Sequence, residues 1–125
     1  MDYAGAMIPP AIPRLVLAFA LLASPALAAN QADPVGALIT QAHEAQSRGN
    51  TELALRLAQS AIVADPARPT SYVALGDIYA EAGQADYARN FYDAALGIDP
   101  AEPSALKALS ALDSGRTATA ANAAR

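Results

Sequence analysis

The sequence predicts an all-α fold, a short solenoid of two helix-turn-helix repeats closed by a C-terminal capping helix. Three observations predict it. The pair Asp65-Pro66 recurs as Asp99-Pro100, 34 residues later. Laid over each other without a gap, the two segments set Ala42 on Gly76, Gly49 on Gly83, Ala54 on Ala88, Ala61 on Ala95 and Ile62 on Leu96. Within each copy, apolar and small residues return at steps of three and four, the spacing of one helix face. Tyr72, Leu75, Gly76 and Tyr79 show it, and so do Ala88, Phe91, Tyr92 and Ala95.

Residues 1–29 have the layout of a secretory signal peptide. The basic Arg14 precedes an apolar run over residues 15–23, the helix-breaking Pro25 ends that run, and Ala26-Leu27-Ala28-Ala29 supplies small residues for a peptidase. Cleavage is expected after Ala28 or Ala29. A spanning helix needs roughly 20 apolar residues, and Pro9, Pro10, Pro13 and Pro25 crowd this run on both sides. The membrane is therefore expected to be touched only through an uncleaved signal, if at all. Asp2 is out of place in the basic first segment of a signal, and a start at Met7 would leave a cleaner one.

After a short linker over residues 30–34, the first repeat is assigned to residues 35–68, the second to 69–102 and the cap to 103–113. Gly49-Asn50 and Gly83-Gln84 supply the turn inside each repeat. Asp-Pro ends each second helix, because the residue before a proline avoids helical angles. Pro69 and Pro103 open the next helices at the position where a missing N–H costs nothing. Two repeats alone leave an apolar flank open, and roughly three units are usual for stability. The cap is expected to close that flank with Leu106, Leu109 and Leu112 while Lys107 and Asp113 face water. From Ser114 the chain is Ala, Thr, Asn and Arg without a pattern, which predicts a disordered tail over residues 114–125.

With these residues in place, the chain resembles the tetratricopeptide-repeat family, whose 34-residue unit carries W-x2-L-G-x2-Y, then A-x3-F, then P. The second copy has Tyr72 where the Trp stands, Leu75-Gly76, Tyr79, Ala88, Tyr92 in place of the Phe, Ala95 and Pro100. The first copy is degenerate: Leu38, Ala42, Ala45, Ala54, Ala58, Ala61 and Pro66 fit, while Gln41 replaces the expected Leu. A third copy begins at Pro103 with Leu106, Leu109 and Ser110 in register. The resemblance implies a curved stack whose inner face, lined by the first helix of each pair, holds a peptide or helix of a partner protein.

That geometry nominates a partner-binding groove. The first repeat contributes Ile39, Thr40, His43, Gln46 and Ser47, and the second contributes Val73, Ala74, Asp77, Ala80 and Glu81. Lys107 and Ala111 continue the row from the cap. One subgroup of the family grips a C-terminal carboxylate with Lys and Asn at set groove positions, but Ile39, His43 and Ala74 stand there instead. A carboxylate clamp is not expected.

Composition excludes several other functions. The formal net charge is −4 and no cysteine is present. No disulfide framework, lipid-bearing cysteine, thiol nucleophile or zinc-thiolate site can be built. No basic cluster exists to neutralise a run of phosphates, so nucleic acid is not an expected partner. His43 is the sole histidine, and with Glu44 or Asp77 beside it no nucleophile, glycine-rich phosphate loop or paired carboxylates assemble. No catalytic, cofactor or metal site is predicted, and the chain is read as a non-enzyme.

The expected function is thus a protein-binding adaptor in the bacterial periplasm, or secreted. Similar small exported repeat proteins serve envelope assemblies such as pilus or secretion machines. The alternative is a self-assembling homo-oligomer, pairing through a flank formed by Leu38, Ala42 and Leu57.

Overall fold

The structure, a computed structural model, describes residues 33–125. The signal peptide assigned to residues 1–29 lies outside the described residues, as does most of the linker. Among the described residues five helices follow one another: α1 (Pro34–Ser47), α2 (Thr51–Ala64), α3 (Pro69–Glu81), α4 (Ala85–Ile98) and α5 (Pro103–Ala123). α1 packs on α2 and α3 on α4 as two antiparallel pairs, α2 also packs on α3, and α5 rests on α3 and α4. The architecture is an all-α solenoid.

Identical local chemistry shapes both repeats. Gly49 and Gly83 take φ values of 78° and 77°, a left-handed conformation that glycine adopts without steric cost. Each closes its helix with the same pair of bonds. The amide of Gly49 donates to the carbonyl of Gln46 and that of Asn50 to Ala45, while Gly83 donates to Ala80 and Gln84 to Tyr79. At the other end of each repeat the backbone of Asp65 and Asp99 is extended, as the following proline demands. Each aspartate side chain then accepts a bond from the amide two residues on, Ala67 at 3.1 Å and Ala101 at 3.0 Å.

Small residues let these helices approach closely. Ala42, Ala54, Ala58, Ala61, Ala88, Ala95 and Ala105 are all fully buried. One core cluster joins Ala42, Ala45, Ala54 and Ala58 to Leu75 and Ile78, so α3 closes against the first pair. A second cluster joins Val73 to Ala88, Tyr92, Ala95 and Ala105 on the other side of α3. The central helix is thus buried along two faces. Its hydroxyl at Ser71 is buried without a hydrogen-bond partner among the described residues, at a desolvation cost of about 1 kcal/mol. Tyr79 fills the seam between the pairs, its ring stacked on Tyr87 at 5.5 Å and on Phe91 at 5.4 Å between centroids.

Two expectations are corrected at the C-terminal end. α5 does not stop at Asp113 but continues to Ala123, through the stretch read as a disordered tail. The repeat register explains it: Gly83 stands 34 residues beyond Gly49, but 34 residues beyond Gly83 stands Thr117, which lacks glycine's access to positive φ. Its hydroxyl instead donates to the carbonyl of Asp113 at 2.9 Å inside the helix. On the covered face one residue departs from expectation, while Leu109 and Leu112 pack and Lys107 and Asp113 are exposed as expected. Ala105, Ala108, Leu109 and Leu112 face the second repeat, whereas Leu106 is 49% exposed. Asp113 is held by Arg89 of α4 at 2.6 Å, which fastens the cap to the last repeat.

Of the flank nominated for self-assembly, Leu38 and Leu57 are partly exposed. Ala42 has no exposed surface, and Leu57 packs against the same core of α1, α2 and α3.

Candidate functional site

The first helices of the pairs, α1 and α3, and the cap α5 lie side by side, and α3 contacts both of the others. Their outward residues form the groove face. At its centre stands Asp77, half buried on α3. Its Oδ1 accepts a hydrogen bond from the Tyr92 hydroxyl at 2.6 Å, and its backbone carbonyl accepts one from Gln46 Nε2 of α1 at 3.2 Å. Gln46 therefore ties the two first helices together across the groove floor.

The electrostatics follow from this placement. Burial raises the Asp77 carboxyl above its usual range, against which the Tyr92 hydrogen bond and the nearby His43 pull it back, while Glu81 adds to the rise. Burial likewise raises the Tyr92 phenol, reinforced by its bond to Asp77 and by the negative charges of Asp77 and Glu81. His43, Asp77, Glu81 and Tyr92 thus share one field, in a patch offering both donors and acceptors.

The structure sorts the nominated residues into three groups. His43, Gln46, Asp77 and Glu81 come together at the groove centre, with His43 and Glu81 exposed. Ile39 is half buried. Thr40 and Ser47 are exposed but spend their hydroxyl protons on their own helix, donating to Gly36 at 3.0 Å and Glu44 at 2.8 Å. Lys107 and Ala111 are exposed on α5. Val73 and Ala74 are a correction: at 7% and 1% exposure both belong to the core, because α3 is covered from two sides and leaves only a narrow strip for the groove. Ala80 is half buried and packs into the same second cluster.

The sequence pattern places Tyr92 on the apolar face of its helix, in place of the Phe of the repeat, and gives its hydroxyl no role. Its ring does pack, yet its hydroxyl reaches the groove floor and fixes Asp77. The signal was present: a tyrosine at a position where the repeat pattern has Phe carries a hydroxyl that needs a partner once buried.

Among the described residues no group of three His, Cys, Asp or Glu side chains converges to hold a metal ion, and no helix is long and apolar enough to cross a membrane. No protein-family model matches the sequence, and no curated protein does. Among solved structures, the chain is similar to a tetratricopeptide repeat domain protein from Salinibacter ruber. That match has a TM-score of 0.51 and 24% identity, and it covers 68% of this chain and 93% of the other. Together with the repeated turns, the Asp-Pro stops and the two-sided burial of α3, that likeness shows that the chain has a tetratricopeptide-repeat-like fold.

Proposed function

We propose that the chain is a non-enzymatic adaptor of the bacterial cell envelope, periplasmic or secreted, that holds a peptide or helix of a partner protein in the groove of α1, α3 and α5. The observation that carries this reading is the prearranged floor at Asp77. Its carboxylate is fixed by Tyr92 and its backbone by Gln46, and the exposed His43 and Glu81 flank it. Groups held before binding cost less to order on binding, and a row of hydrogen-bonding side chains on rigid helices suits a polypeptide. The signal-like N-terminal sequence supports the envelope location.

Reversing the charge at Glu81 tests this. Glu81 is exposed and makes no contact in the core, so Glu81→Arg should leave thermal melting unchanged. Recovery of the partner with a tagged chain from the envelope fraction is expected to fall about tenfold, as truncating a well-placed interfacial charge does. Gln59→Arg, on the outer face of α2, should not alter recovery. Equal recovery with Glu81→Arg and the unaltered chain would overturn the groove reading.

A further inference from the structure

The C-terminal half of α5 buries little of its own surface. Residues 114–123 are exposed along their whole length, and a helix of about ten residues without tertiary contacts is marginal in water. A cleft of about 570 Å³ runs between this extension and the N-terminal end of α4. On the extension it is lined every fourth residue by Ala111, Gly115, Thr119 and Ala123, which leave room for the backbone of a second helix to come close.

Charge selects the occupant. Beyond Asp113 the chain carries Arg116 and Arg125 and no acid, whereas residues 33–113 carry five basic residues against eleven acidic ones. Arg116 lines one wall of the cleft and Asp86, in the first turn of α4, lines the other. Neither forms an ion pair among the described residues. A two-fold contact matches a surface to itself, so that where one group of the first copy meets a second group of the other copy, the reciprocal pair forms as well. A surface with an unpaired acid and an unpaired base on opposite walls is complementary to its own copy. We infer that the α5 extension is a dimerisation element: a second copy of this chain lays its own α5 extension in the cleft, and Arg116 of each copy meets Asp86 of the other. This goes beyond the adaptor reading. It would give each assembly two grooves and so raise avidity for a partner presenting repeated segments.

Sedimentation of the purified chain across a concentration series, read as mass, tests the inference independently of any groove partner. The unaltered chain is expected to shift from one copy to two. Arg116→Asp and Asp86→Arg should each weaken that association at least about tenfold, and the doubly reversed chain should regain it. Gly115→Leu, which blocks close approach without touching the charges, should weaken it as well. Because all three positions are exposed, helical content and melting of the single copy serve as the folding control. A single copy at every concentration would overturn the inference, and so would a dimer indifferent to both reversals or a double reversal that fails to restore it.

Discussion

Replacing Gly76 by alanine is expected to destabilise the domain by about 2 kcal/mol, seen as a fall of roughly 10 °C in the thermal midpoint. A Cβ at this position would stand 2.6 Å and 2.8 Å from two carbons of the Tyr92 ring, inside any real contact distance. The ring is 2% exposed and sits at the centre of the second core cluster, so it cannot swing into solvent without opening that cluster. Moving it also breaks the bond to Asp77. Against this stands only the helix preference of alanine over glycine, roughly 1 kcal/mol. The clash has a named partner, so the effect must be non-additive: in a Tyr92→Leu background the same substitution should cost much less. Gly97, also helical, meets nothing within 4 Å, and Gly97→Ala should raise stability by about 0.5 kcal/mol. An unchanged midpoint for Gly76→Ala would mean that Tyr92 does not lie where the structure has it.

Ile78→Ala is the second large effect, with an expected loss of about 3 kcal/mol. Ile78 is the largest fully buried apolar side chain and joins α3 to the alanines of α1 and α2. Those alanines have no longer side chains with which to fill the space. Stabilities of small domains total about 5–15 kcal/mol, so chemical denaturation should show a sharply lowered midpoint. Leu106→Ala provides the contrast. The sequence pattern expects Leu106 in the core, the structure leaves it half exposed, and the change should stay within about 0.5 kcal/mol. A large loss from Leu106→Ala would return Leu106 to the core, where the sequence pattern expects it.

Where the chain must turn, the sequence was legible, because turns depend on backbone chemistry that single residues announce. Gly49, Gly83, Asp65-Pro66 and Asp99-Pro100 mark the breaks that the structure has. Burial was legible where a helix has one covered face, as in α2 and α4. It failed on α3, which is covered on two sides: Val73 and Ala74 look like groove residues in projection, but Val73 packs into the second core cluster and Ala74 is 1% exposed. It failed again on α5, where four leucine and alanine phases are nearly equivalent in sequence and Ala105 rather than Leu106 takes the buried position. The length of α5 depended on an absence, the missing turn glycine at Thr117, which is harder to read than a presence. In the groove, His43, Gln46, Asp77 and Glu81 followed from repeat geometry alone. Tyr92 did not, because its two ends serve different purposes and the pattern records only the ring.

Photocrosslinking from inside the groove tests the central claim most directly. A photoreactive residue at His43 and, separately, at Glu81 leaves the Asp77–Tyr92 bond intact, and one at Gln59 on the outer face of α2 serves as control. The same protein, other than the chain itself, is expected from both groove positions in native envelope preparations and not from Gln59. Capture from Gln59 alone, or no capture from either groove position, would contradict the account.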